Sequence, residues 1–210
     1  MLLSKNYIES QVCIALEEDL GKLGDITSQA TVPQNQKSSA KIKLKQDAVL
    51  CGIDFACLAF KLLDKKIKIS ARKKDGSYLK KGSTILKLHG NTQAILAAER
   101  TALNFLGLMS GIATKAKNYS KIAKKYGSEI YSTRKTIVGI RDLQKYALNI
   151  GGANINRMTL DDFFFIKDNH ISQSKDITKT IAQVKAFYPK KKITVEVDTC
   201  LLYTSDAADE

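Results

Sequence analysis

The sequence predicts an α/β protein in two parts: an α+β region of antiparallel strands and helices, then a strand–helix alternation that makes a parallel sheet or an α/β barrel. Three observations predict it. Strands of period two occupy the first half, a long amphipathic helix follows, and from about residue 128 short apolar runs alternate with helical stretches.

Taken in order, Asn6 with Glu9 three residues later forms a capping-box pattern, and Ile8, Val12, Ala15 and Leu16 make a helical stripe that stops near Gly21. The loop GKLGDITSQATVPQ is rich in turn formers; its Gly24-Asp25-Ile26-Thr27 stretch either caps the next segment or edges an interface. Ala40, Ile42 and Leu44 alternate with Lys41, Lys43 and Lys45, a half-buried strand. Residues 53–63 have helical character, and Ile67 and Ile69 alternate with Lys66, Lys68 and Ser70 as a further strand. Asp75-Gly76 and Lys81-Gly82 mark turns, STILKLHG a strand, and His89 before Gly90 a turn residue. Asn91 or Thr92 caps a long helix with the stripe Ile95, Ala98, Ala102, Phe105, Met109, Ile112, Ala116, Tyr119 and Ile122, which Gly107 and Gly111 are expected to bend or divide. Then come EIYS, a helix with Ile140, Leu143, Ala147 and Ile150, and Gly151-Gly152, which end that helix or let backbone approach a substrate. NINR, FFFI, a helix from about Asp176 to Phe187, and ITVEV complete the alternation.

Composition narrows the class. With 44% apolar and 26% charged residues in 210, the chain is globular. No apolar run approaches the ~18 residues of a membrane span, so no membrane partner is expected. Four cysteines (Cys13, Cys51, Cys57, Cys200) without CxxC spacing are expected to be free thiols in the cytoplasm. Two histidines, His89 and His170, exclude a histidine-rich metal site, and His170 is expected to be a hydrogen-bonding residue rather than a base. The net charge of +13 fits nucleic acid or a small polyanionic substrate. Its lysines lie beside apolar strand residues in KIKLKQ, DKKIKIS and YPKKKI, as solvated faces do, and no aromatic stacking platform interleaves them. No nucleic-acid partner is therefore expected.

Polar clusters follow the apolar runs of the second half directly. Thr133, Arg134, Lys135 and Thr136 follow EIYS, Arg157 ends NINR, Lys167 to His170 follow FFFI, and Glu196 sits in ITVEVD. In a parallel barrel the carboxyl ends of strands converge at one mouth, so Arg134, Lys135, Arg157 and Lys167 are expected to meet there. Arginine grips carboxylate and phosphate in two-pronged fashion and lysine acts as a compact charge, so such a mouth suits a substrate with several negative charges. Glu196 is then the odd member. An acid among anions needs a divalent cation or a developing positive charge beside it, and ribosyl transfer supplies both.

The end of the chain differs in character. CLLYTSDAADE holds three acids (Asp206, Asp209, Glu210) and no base, and resembles the translation of a sequencing-library adapter. Residues 199–210 are therefore expected to be non-native, and the native protein to continue past Asp198.

EEDLGKLGDITSQATVP, AERTALNFLGLMSGIAT, STRKTIVGIRDLQKYALNIGGANINR, FFFIKDNHI and ITVEVDT together resemble the quinolinate phosphoribosyltransferase family. The resemblance implies an N-terminal α+β sandwich over residues 1–107 and a truncated parallel α/β barrel over 108–198. It implies conversion of quinolinate and phosphoribosyl pyrophosphate to nicotinate mononucleotide, pyrophosphate and carbon dioxide with Mg2+, in de novo NAD synthesis, by a homodimer or larger homo-oligomer. Arg100 matches an arginine delivered across the subunit interface. Arg134, Arg157 and Lys167 match residues that hold the two quinolinate carboxylates, with Thr133 nearby. Lys135 and Lys167 match lysines near the phosphoribosyl pyrophosphate, and Glu196 a carboxylate near ribose and metal. Asn156 stands where the family usually has histidine; it donates a hydrogen bond without the charge. Ile137-Val138 replace Thr-Pro, which implies a looser turn. The family's later metal carboxylate and glycine-rich phosphate segments would lie past Asp198, so the 210-residue chain is expected to be inactive or poorly folded. Two other readings are a related phosphoribosyltransferase with a different acceptor and a basic nucleic-acid-binding module.

Overall fold

The structure, a computed structural model, describes residues 2–197, in two compact units that divide after Asn156. Asp198 and the stretch 199–210 lie outside the described residues.

The first unit opens with α1 (Lys5–Leu20). Its cap is Ser4 rather than Asn6: the Ser4 hydroxyl accepts from the Tyr7 amide at 3.1 Å, and Asn6 is already inside the helix. Asp25 caps α2 (Ile26–Thr31) by accepting from the Ser28 amide at 3.0 Å and from the Ser28 hydroxyl, which gives the polar GDIT loop its role. There follow β1 (Lys37–Lys43), β2 (Ala48–Val49), α3 (Ile53–Leu63), β3 (Lys68–Arg72), β4 (Tyr78–Leu79), β5 (Thr84–Asn91) and α4 (Thr92–Lys124). Strands β1, β5 and β3 form an antiparallel sheet in that order, and β2 pairs with β4. Ala40 lies opposite Leu88 and Ile42 opposite Leu86, so the apolar alternation of β1 faces the core while Lys41 and Lys43 stay exposed. His89 is not a turn residue. It sits inside β5 with Nδ1 3.0 Å from the Ser39 hydroxyl on β1. Gly90 misleads at this point because it marks a close approach: a Cβ there would lie 2.5 Å from the Ile67 side chain.

Helix α3 is apolar nearly all round and is the centre of the core, between Val12 and Leu16 of α1 and Ala98, Ala102, Leu106 and Met109 of α4. Its first residue follows Gly52, which has φ of 97° and no capping side chain. The cap comes from a distant turn. The Asp75 carboxylate accepts from the Gly52 and Ile53 amides at 2.9 and 3.0 Å and from the Tyr146 hydroxyl at 3.0 Å. Burial, with the Asp75 charge beside it, pushes the Tyr146 phenol well above its ordinary value.

Asn91 caps α4 by accepting from the Ala94 amide at 2.9 Å. The helix runs 33 residues without a break. Gly107 and Gly111 do not divide it; each faces open space, where a Cβ would meet nothing within 4 Å. The expected division at 107/108 falls inside this helix. Beyond it, Tyr131 and Asn154 form one isolated parallel bridge, so EIYS and NINR, expected as strands, pair at a single residue each. Between them lies α5 (Arg141–Ile150). Gly151 ends α5 and also packs closely: a Cβ there would lie 2.3 Å from the Ala113 carbonyl oxygen and 2.6 Å from the Ala116 Cβ. The close approach is to α4.

The second unit contains β6 (Phe164–Ile166), α6 (Asp168–Ser174), α7 (Ile177–Phe187) and β7 (Ile193–Val195). β6 and β7 are parallel and joined through the two helices, the crossover that a parallel pair requires. Asp176 caps α7 by accepting from the Lys179 amide at 3.1 Å. Among the described residues, no helix is long and apolar enough to cross a membrane.

Candidate active site

In a parallel pair, residues in register share a face, and faces alternate along each strand. Phe165 lies opposite Thr194, while Ile166 lies opposite Val195. Two residues further on are Lys167 and Glu196, which therefore share the face of Phe165 and Thr194 at the carboxyl ends of the strands. Ile166, on the opposite face, is buried. Lys167 Nζ lies 3.2 Å from Glu196 Oε2, and each side chain is 49% exposed. The Glu196 amide donates to the Ile166 carbonyl at 2.9 Å, which fixes its direction. An ion pair so exposed contributes about 0–1 kcal/mol, so the fold does not depend on it and both partners are available to a ligand.

Arg157 joins this group through aromatic rings. Its guanidinium carbon lies 5.4 Å from the Phe163 ring centroid and 5.9 Å from that of Phe165, while Lys167 Nζ lies 5.5 Å from the Phe165 centroid. The Arg157 Nη2 also donates to the Leu160 carbonyl. Arg157, Lys167 and Glu196 thus come together in the second unit: two cations and one carboxylate on a half-exposed strand face.

In the first unit, Thr133, Arg134, Lys135 and Thr136 form an irregular loop between Tyr131 and α5. The Thr133 hydroxyl accepts from the Lys135 amide at 3.2 Å, and both residues are exposed. Arg134 is half-buried, and its Nε has no hydrogen-bond partner among the described residues; neither has the hydroxyl of buried Ser132. Asn156 is exposed at the end of this unit, and Arg100 is exposed on α4.

Three residues that sequence reasoning passed over, or set aside, hold these groups. The Ile137 amide donates to Gln144 Oε1 at 2.8 Å, and Arg141 Nε donates to the Thr136 hydroxyl at 3.3 Å, so α5 fastens the loop that precedes it. His170 Nδ1 accepts from the Lys167 amide at 3.0 Å, the hydrogen-bonding role expected of it. The only signal for Gln144 and Arg141 was their place on the helix directly after the loop. Lys145, also missed, is fully buried in α5. Among the described residues no group of three or more histidine, cysteine or acidic side chains could hold a metal ion. Glu196 offers a single carboxylate.

Two family models match: the N-terminal domain of quinolinate phosphoribosyl transferase over residues 25–110 and its C-terminal domain over 112–205. The second match extends into the stretch set apart by composition. A chloroplastic nicotinate-nucleotide pyrophosphorylase (carboxylating) of Oryza sativa subsp. japonica is 39% identical over 194 residues, 91% of this chain and 52% of the relative. The enzyme of that name from Mycobacterium leprae is 36% identical over 190 residues, 88% of this chain and 66% of the relative. The chain spans about half the length of the plant relatives it matches. Among solved structures, the nicotinate-nucleotide pyrophosphorylase of Francisella tularensis is 34% identical with a TM-score of 0.90, covering 96% of this chain and 71% of that one. That of Ehrlichia chaffeensis is 32% identical with a TM-score of 0.91, covering 100% and 75%. With both family domains matched in order and likeness to solved members along nearly its whole length, the chain belongs to the quinolinate phosphoribosyltransferase family.

Proposed function

We propose that the protein transfers a phosphoribosyl group from phosphoribosyl pyrophosphate to quinolinate and releases carbon dioxide, giving nicotinate mononucleotide and pyrophosphate for NAD synthesis. The observation that carries this reading is the grouping of Arg157, Lys167 and Glu196 on one strand face at the carboxyl ends of β6 and β7. Arg157 and Lys167 bind carboxylate of the pyridine ring, and Arg134 and Thr133, in their own loop, take the carboxylate-binding role that the family resemblance implies. The Nε of Arg134, without an acceptor among the described residues, is open to a ligand or to water. Asn156 contributes a neutral hydrogen bond. Lys135 and Lys167 attract the phosphoribosyl pyrophosphate.

The pyridine nitrogen attacks the sugar carbon as the bond to pyrophosphate breaks. Glu196 stabilises the positive charge that develops on the sugar in that step, once Lys167 has turned from it to the substrate. The ring is cationic after the transfer, so the electron pair of the carbon–carbon bond stays on the ring carbon when the adjacent carboxylate leaves as carbon dioxide, and that carbon then takes a proton from solvent. Glu196 suits Mg2+, which takes one or two protein carboxylates together with substrate phosphates. Glu196 would hold the ion, which would supply positive charge to offset that of the pyrophosphate. Exposure of Arg100 on α4 supports the homodimer reading, in which it serves a second copy's site. The unpaired Cys13, Cys51 and Cys57 support a cytoplasmic protein.

The test, made on the full-length protein, is product formation with quinolinate or nicotinate as acceptor, followed as mononucleotide and released carbon dioxide. The reading predicts turnover with quinolinate alone, lowered on the order of 100-fold in kcat/KM by Arg134→Ala. Turnover with nicotinate instead would identify a relative with a different acceptor.

A further inference from the structure

Phe163 and Phe165 stand two residues apart along the β6 segment, with ring centroids 6.2 Å apart. Between them they carry three cations. Arg157 lies over both rings, Lys167 over Phe165, and Lys192 over Phe163 at 5.5 Å. Phe164 points the other way, toward Tyr188, at 6.3 Å between centroids. Core packing does not require an aromatic at 165. The residue is half-buried, and the buried position of this strand is taken by an aliphatic side chain, Ile166.

An aliphatic side chain at 165 would fill the space but offer neither Arg157 nor Lys167 a ring face to rest on. An aromatic face carries negative potential and attracts a cation on either side. We propose that Phe165 is a positioning residue: its ring holds the Arg157 guanidinium and the Lys167 ammonium at the separation that lets each take one carboxylate of a pyridine dicarboxylate. The ring touches neither carboxylate and acts through the two cations. The inference rests on the quinolinate reading above and adds to it why this strand carries a ring beside its two charged groups.

The test uses the full-length protein with Phe165 replaced by leucine, by tyrosine and by 3,4,5-trifluorophenylalanine, a ring of nearly unchanged shape and depleted face charge. Quinolinate Kd is measured by calorimetry. In parallel, lysines are reductively methylated with 13C, and the Lys167 signal is identified by its loss in Lys167→Arg. The proposal predicts an upfield, ring-shifted Lys167 signal in the wild type and Phe165→Tyr that moves to the ordinary lysine position in Phe165→Leu. It predicts a Kd about fivefold weaker in the leucine and trifluoro proteins and within about twofold of wild type in Phe165→Tyr. A ring of purely structural use would leave the trifluoro protein at wild-type affinity, and that result overturns the proposal. An unshifted Lys167 signal in the wild type overturns it as well. Failure of the wild type to bind quinolinate contradicts the functional reading and removes the positioning role with it, while the methyl signal still reports whether the ring carries the ammonium.

Discussion

Lys167 is held in two ways without being committed to either. Its ammonium pairs with Glu196 at 3.2 Å and rests over the Phe165 ring, while half of the side chain stays in solvent. Exposed contacts of this kind orient a side chain but add little stability. Glu196→Gln is therefore expected to shift the melting temperature by no more than about 2 °C while lowering kcat on the order of 100-fold, read by thermal scanning beside a turnover assay. Loss of folding in the variant would show that Glu196 is structural. Much of this site was legible in the residues. TRKT and KDNH each follow an apolar run, and Glu196 stands on the outward phase of ITVEV. What was not legible acts through neutral or backbone bonds. Gln144 accepts a single amide proton, and nothing in a lone amide side chain announces that partner. His89 was misread because Gly90 looks like a turn, whereas its meaning is steric and depends on Ile67, distant in the chain.

At the scale of elements, the contact between α4 and α5 links the long helix to the loop of Arg134. Gly151 makes that contact possible, since a Cβ would fall on the Ala113 carbonyl. Backbone cannot give way as a flexible side chain does, so Gly151→Ala is expected to cost about 3 kcal/mol, read as a lowered midpoint in urea with an unchanged slope. A midpoint equal to wild type would show that the helices part easily. Elements with strong local period were legible, among them α3 over 53–63 and α7, expected from about Asp176 to Phe187. Elements that depend on distant partners were not. EIYS and NINR have the residues of strands, yet Tyr131 and Asn154 pair at one position, because a strand's extent is set by its neighbour as much as by its own residues. The cap of α3 is a further case: Gly52 offers no side chain, and Asp75 supplies the carboxylate from another turn.

For the whole molecule, the net charge of +13 is spread rather than focused. Lys41 and Lys43 lie on the solvent side of β1, as their alternation with Ala40 and Ile42 required. The two-part α/β architecture was legible from the change of period near residue 128. The expected boundary at 107/108 lies close to where the two family domains meet, at 110/112, inside the unbroken α4, while the compact units part after Asn156. A spread of surface lysines gives weak general attraction to anions, whereas the Arg157–Lys167 face is proposed to take a small ligand with two negative charges. The most direct measurement is calorimetric titration of quinolinate into the wild type and into Lys167→Met, at low and moderate salt. The account predicts one saturable site per chain in the wild type, a modest weakening with salt, and loss of at least about tenfold in affinity in the variant. Absence of saturable binding, or equal affinity in the two proteins, would contradict it.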